Sequence, residues 1–421
     1  MLRLTACLLL AGLLLTALPA PAQPDVAFNL YDGKLVAGEK ALKERLDKAP
    51  NDDQARCALG VVQFLRGFEK LGTGLYKHGL KTSSNFPGMP RGLARLLPEN
   101  PNPEPASYAA IRKLVEDFVA DLDRAEKTLA QVKDDKVTLA LYPGRLKVDL
   151  FGQGHLVSAG ILVGLAEGGP PGAAQQVEGF VIDFDRGDVS WLRGYLHFLC
   201  AWGEVILALD TKDLFDGAAH RVFLKPQTPH TFFLDEERKP PMGGFLFGGW
   251  SQDELTDALS TIYHAVDLPI AEPARMKRAL EHLEGMLAQG KEMWKYILAE
   301  TDDKNEWIPN PKQTGVLRIR VSDEIVREWG QVLDEVDAIV QGKKLLPFWR
   351  GKRDGSVGVN FRKVFTDAPK RLDVVRWIQG PEATPYLEKG PITPLADPRV
   401  IGRMDRVFGG VGFFGFAFWF N

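Results

Sequence analysis

Residues 107–132 read SYAAIRKLVEDFVADLDRAEKTLAQV, and their pattern decides the fold class. Ile111, Leu114, Val115, Phe118, Leu122, Ala125, Leu129 and Val132 recur at spacings of three and four, the repeat of one buried stripe on a helix of 3.6 residues per turn. Ser107 stands where an N-cap belongs, its hydroxyl placed to accept a first-turn amide. Upstream, residues 38–71 read GEKALKERLDKAPNDDQARCALGVVQFLRGFEKL, which predicts two helices broken at Pro50-Asn51-Asp52-Asp53, a helical hairpin. Between hairpin and stripe, Pro87, Pro90, Pro98, Pro101, Pro103 and Pro105 mark a surface connection.

Helical spacing continues downstream. Ser251 and Glu254 have the spacing of a capping box ahead of Leu255, Leu259, Ile262 and Val266, and Met276, Leu280, Leu283, Leu287, Trp294 and Ile297 extend the pattern. Ser322 opens another helix whose face is Ile325, Trp329, Val332, Leu333, Val336, Ile339 and Val340, with Gly342 as its terminator. Strand alternation comes late, in Leu317, Ile319 and Val321 and in Val357, Val359 and Phe361 beyond the Asp354-Gly355 turn. The last residues, VGFFGFAFWFN, set Phe414, Phe416, Phe418 and Phe420 on one face of a strand that needs burial. The expected fold is mainly α, a multi-helix bundle-like array that starts with a helical hairpin and carries a small β hairpin or sheet near the C-terminus. Four segments follow: 1–22, 23–105 with the hairpin and Pro-rich connection, a central helical domain 106–310, and 311–421 with a helix, the β element and the aromatic tail.

The chain has 421 residues, 25% charged and 45% hydrophobic, enough to fold and too apolar for intrinsic disorder. Lys and Arg number 52 against 55 Asp and Glu, a formal charge of −3 that leaves no basic excess for a nucleic-acid backbone. Segment 1–22 has the form of a signal peptide: Arg3, an apolar run, and Ala20-Pro21-Ala22 as the cleavage pattern, so the mature chain should begin near Gln23. The apolar run stops at Pro19, short of the ~20 residues a bilayer span needs. Leu4-Thr5-Ala6-Cys7 is no acylation box, because the apolar stretch follows Cys7 instead of preceding it. The expectation is export to a periplasmic or extracellular space, with no integral membrane segment after cleavage. Of the remaining thiols, Cys57 and Cys200 could form one disulfide at most, and both sit in apolar helical surroundings as small hydrophobes.

Residues 188–209, DVSWLRGYLHFLCAWGEVILAL, form the most apolar mature helix, with Asp188 read as its cap. Ser190, Arg193, His197, Cys200 and Glu204 fall along one stripe of it, which must be solvated or paired. Arg193, His197 and Glu204 are its candidate functional residues. Just before, VIDFDRGD supplies Asp183, Asp185 and Asp188, hard oxygen donors suited to calcium or magnesium. An EF-hand does not fit, since counting from Asp183 puts Asp188 where the loop glycine belongs and Gly194 where the bidentate acid belongs. The competing reading for these acids is a turn whose carboxylates bond nearby amides.

The chain contains neither the HExxH zinc pair nor the G-x-S-x-G nucleophile elbow, and its Gly-rich stretches lack the Lys-Ser or Lys-Thr of a phosphate loop. The expected function is a non-catalytic binding or structural protein with a protein or cell-envelope partner and no resident cofactor. The alternative is a divalent-metal-assisted hydrolase in which Asp183, Asp185 and Asp188 hold calcium or magnesium while His197 and Glu204 move protons.

Overall fold

The structure, a computed structural model, describes residues 30–81, 99–158, 179–234, 252–316, 320–351, 357–409 and 417. Segment 1–22, Pro87, Pro90 and Pro98, Ser251, the Leu317 and Ile319 alternation, the Asp354-Gly355 turn and the aromatic tail apart from Ala417 lie outside the described residues.

The helical hairpin is present. Helix α1 (Leu35–Lys48) ends just before Pro50, and α2 (Asp53–Lys77) starts from Asp52, whose carboxylate accepts the Ala55 amide at 2.9 Å. Helix α3 (Tyr108–Leu129) starts at the expected cap, with the Ser107 hydroxyl accepting from Ala110 N at 3.1 Å. Its stripe is buried against α2 and the next long helix, with Leu122, Ala125 and Leu129 fully enclosed. Each such leucine contributes about 2 kcal/mol through the apolar area it removes from water.

Four short strands follow, β1 (Leu139–Leu141), β2 (Lys147–Val148), β3 (Val157–Ser158) and β4 (Ile182–Phe184). They form two antiparallel pairs, β1 with β4 and β2 with β3; Leu139 faces Phe184 and Leu141 faces Ile182. The sequence places strands only near the C-terminus, and pairs of two or three residues are too short to show an alternation.

Helix α4 (Arg186–Ala208) is the spine of the molecule. After α5 (Lys212–Val222), α6 (Gln252–Val266) and strand β5 (Asp267–Pro269), α7 (Pro273–Ala299) returns antiparallel along the whole length of α4. The direction is plain at both ends: Gly187 lies over Ile297, and the Glu272 amide donates to the Ala208 carbonyl. One core joins α1, α2, α3 and most of α4; a second joins the end of α4 to α7 and to α8 (Asp323–Val340). Ser322 caps α8 through Ile325 N, and Gly342, at φ +72°, turns the chain away beyond it, in the left-handed region that only glycine enters without strain.

The C-terminal part alternates small strands and short helices: β6 (Leu346–Pro347), β7 (Val357–Val359), α9 (Phe361–Thr366), β8 (Arg371–Asp373), α10 (Val374–Gln379), β9 (Leu387–Lys389) and α11 (Pro398–Phe408). Strand β7 lies between β6 and β9 in an antiparallel sheet, and β5 pairs with β8. The expected small β element is therefore present. Phe361, expected in a strand, opens α9 instead, because the Asn360 side chain accepts the Lys363 amide and starts a helix there.

Candidate functional site

The first turn of α4 gathers the acids that the sequence singles out. Asp185, not Asp188, is the N-cap: its Oδ1 accepts the amides of Gly187 at 2.7 Å and Asp188 at 3.2 Å. Asp188 completes a capping box by accepting the Asp185 amide on Oδ2 at 3.2 Å. Both acids can cap by sequence; β4, ending at Phe184, fixes the helix start one turn earlier than the reading from Asp188.

Asp183, Asp185 and Asp188 do not surround a common point. Asp183, on β4, accepts from the Asn305 side chain at 3.3 Å, and its amide donates to the Asn305 carbonyl. Asp185 is grouped instead with Glu300 and Glu306, the three offering carboxylate oxygens within 4.8 Å of one another. The antiparallel return of α7 delivers Glu300 to this end of α4. The loop beyond it is folded back by Asn310, which donates to the Ile297 carbonyl at 2.9 Å. Asn305 takes a φ of 55°, and Trp307 packs edge-on against Trp191 at 5.6 Å, so that Glu306 arrives buried.

Among the described residues, no cation pairs with these crowded carboxyls. Burial, followed by the hydrogen bond and charge of Asp185, pushes Glu300 up to about 9. Burial and the neighbouring acids push Glu306 up to about 7, the amide of Lys304 opposing. Burial, then the charge of Asp185, holds Asp188 well above the usual carboxylate range. Arg186, in the same turn, is directed elsewhere, to the Ser190 hydroxyl and over the Tyr296 ring. Such a group shares protons at neutral pH, and its hard oxygens are of the class that calcium or magnesium accepts in their place.

The stripe further along α4 is built the opposite way. Arg193 donates from Nε and an η nitrogen to Oε1 of Glu126 on α3, at 3.0 and 2.8 Å. His197 Nε2 lies 3.5 Å from the same oxygen, and its Nδ1 is 3.0 Å from Nδ1 of His282 on α7. Burial pushes Glu126 upward, but the hydrogen bonds and charges of His197 and Arg193 more than offset it, leaving the carboxyl at about 2. Burial and the neighbouring His197 push His282 below its ordinary value. Glu204, buried two turns beyond His197, takes Arg275 at 3.2 Å and Arg278 at 3.1 Å, both from α7. Arg193, His197 and Glu204 therefore share a face, as their spacing implies, and each meets a partner across a helix interface.

The acids and the stripe do not converge. His197 stands twelve residues after Asp185 and Glu204 nineteen, which places them about 18 and 28 Å along the helix axis. Sequence reasoning missed Glu300, Glu306, Glu126 and His282, which reach α4 only through tertiary packing; Glu126 is 67 residues from Arg193 and His282 85 from His197.

Both cysteines are free and buried, with no bridge between them. Burial pushes the Cys57 thiol up to about 12, with Asp188 adding to it, and burial likewise raises Cys200. Neither has the thiolate character of a nucleophile. His220 joins α5 to α6 through Asp257 at 3.0 Å and stacks on Phe233 at 4.2 Å.

Beside that junction, α3, α4 and α5, with Thr261 of α6, line a half-open cavity of about 300 Å³. Its walls are Ile111, Val115, Leu214, Phe215 and Phe223, and it opens past Ile206, which is 46% exposed. The polar groups at its edge are already engaged: the Tyr108 hydroxyl accepts the Thr211 amide, and Arg112 donates to the Leu207 and Leu209 carbonyls at the end of α4. Among the described residues, the cavity wall is thus almost wholly hydrocarbon.

No protein-family model, curated protein or solved structure matches the chain. Among the described residues, no helix is long and apolar enough to cross a membrane.

Proposed function

We propose that the chain acts after export as a non-catalytic binding protein that receives an apolar group, an acyl chain or similar hydrocarbon of the cell envelope, in the cavity between α3, α4 and α5. The observation that carries this reading is the cavity itself, about 300 Å³ with an almost wholly apolar wall, at the lower end of the size of ligand pockets. Trp202, 58% exposed one turn before Ile206, extends the apolar surface at its mouth. Metal-assisted hydrolysis has less support, because the proton-handling groups it needs, His197 and Glu204, sit well away from the carboxylates and are engaged by Glu126, Arg275 and Arg278.

The test is a fluorescence titration of the purified mature chain with a fatty-acid probe. Saturable binding of one probe per chain is expected, and Ala218→Trp, which fills the cavity from α5, should abolish it while leaving the far-UV spectrum unchanged. Binding that is unsaturable, or indifferent to that substitution, overturns the reading. So does turnover of a substrate by the same preparation.

A further inference from the structure

The His197–His282 pair has a geometry that the binding reading does not use. The two rings come from antiparallel helices, α4 and α7, with their Nδ1 atoms 3.0 Å apart and their planes inclined at 51°. Gly285, one turn beyond His282, makes the arrangement possible: a Cβ there would lie 2.7 Å from His197 Nε2, so the imidazole occupies space that any other residue would fill. On the far side, Nε2 of His197 faces Glu126 Oε1 at 3.5 Å.

A carboxylate against one ring nitrogen keeps a proton there and leaves the other nitrogen with its lone pair free. That is the arrangement by which proteins orient a metal-ligating imidazole. Metal–imidazole bonds are ~2.0–2.1 Å, so two nitrogens on one ion stand ~2.9 Å apart at a right angle and ~3.3 Å apart at the tetrahedral angle. The observed 3.0 Å falls within that bite. We propose that His197 and His282 form a two-nitrogen chelate for a divalent transition ion of the zinc and copper(II) class, with Glu126 as the positioning residue for His197.

In the ion-free chain one Nδ1 must donate to the other. Because Glu126 holds the His197 proton on Nε2, the bridging proton belongs to His282 and moves to its Nε2 when the ion enters. The remaining coordination positions go to water or an exogenous ligand. Both side chains are partly accessible to solvent. The neighbouring acids Glu126 and Glu204 are already paired, with Arg193 and with Arg275 and Arg278, so what the pair offers an ion is its imidazole nitrogens. Imidazole donors select against calcium and magnesium, which separates this pair chemically from the carboxylate trio at the start of α4.

The experiment is titration of the purified mature chain with zinc chloride by calorimetry, and with copper(II) sulfate by electron paramagnetic resonance, each in excess magnesium to occupy oxygen sites. One equivalent should bind, with nitrogen hyperfine structure in the copper spectrum. His282→Asn and His197→Asn, each checked for helix content by circular dichroism, should weaken binding about tenfold or more. Absence of saturable uptake by the wild-type chain overturns the proposal. Uptake that is unchanged in both folded variants places the ion elsewhere and overturns it equally.

Discussion

The two stretches of α4 bury the same side chain with opposite results. At its N-terminus Glu300 is raised to about 9; one helix interface along, Glu126 is lowered to about 2. Burial acts upward on both. The difference is the company: Glu126 faces a guanidinium and an imidazole, whereas Glu300 faces Asp185 and lies near Glu306. Burial of a carboxylate therefore says nothing about its charge until its partners are named. In this molecule one end of a single helix is held by compensated charge and the other by shared protons.

The sharpest way to break the contrast is to remove the compensation. Arg193→Met takes the cation from a pair whose side chains are 16% and 11% exposed, leaving Glu126 with His197 as its remaining partner among the described residues. A loss of about 3 kcal/mol is expected in urea denaturation at neutral pH, the scale for breaking a buried ion pair from one side. The pH dependence should change too. Glu126 is lowered from 4.5, so its contribution is present above that value and disappears as the pH falls through about 2. In the variant Glu126 is lowered less, so this acid-side loss should be smaller and complete at higher pH. A variant as stable as the wild type, with the same acid limb, would mean the pair holds nothing.

The proton-sharing end predicts the opposite slope. Glu300 binds a proton in the folded chain that the unfolded chain releases near 4.5, so its contribution is full below that value and is lost as pH rises through about 9. Glu300→Gln, which keeps a hydrogen-bonding amide beside Asp185 without the charge, should flatten the decline in melting temperature between pH 5 and pH 9 and raise it by a few degrees at the alkaline end. Parallel curves for the two chains would show that Glu300 titrates normally.

The contrast was only half legible in the sequence. Periodicity exposes α3, and local chemistry exposes its Ser107 cap and the Ser322 cap of α8, because those signals lie within a few residues of one another. The same periodicity puts Arg193, His197 and Glu204 on one face. It cannot say that α3 brings Glu126 to them or that α7 brings Arg275, since those partners are set by how helices pack. The acid cluster fails for the same reason. VIDFDRGD suggests that Asp183, Asp185 and Asp188 act together, yet two are spent on the capping box, Asp183 turns to Asn305, and Asp185 meets acids from the far end of α7 and the loop beyond it.

The smallest effect is the most specific probe of the proton-sharing end. Gly187, the second residue of α4, lies where a Cβ would meet Ile297 Cγ1 at 3.1 Å, Asp185 Oδ1 at 3.2 Å and Glu300 Oε1 at 3.4 Å. In Gly187→Ala the gain in helix propensity opposes a tight contact that the Ile297 side chain can relieve by a small shift, so the net change at pH 5 should stay below about 1 kcal/mol. The added methyl also excludes solvent from beside Glu300, which deepens the desolvation that holds this carboxyl above its ordinary value. The variant should therefore match the wild type in acid and fall away from it more steeply toward pH 9 in thermal melts. A uniform offset at every pH would assign the effect to packing against Ile297 alone and remove the carboxyls from the explanation.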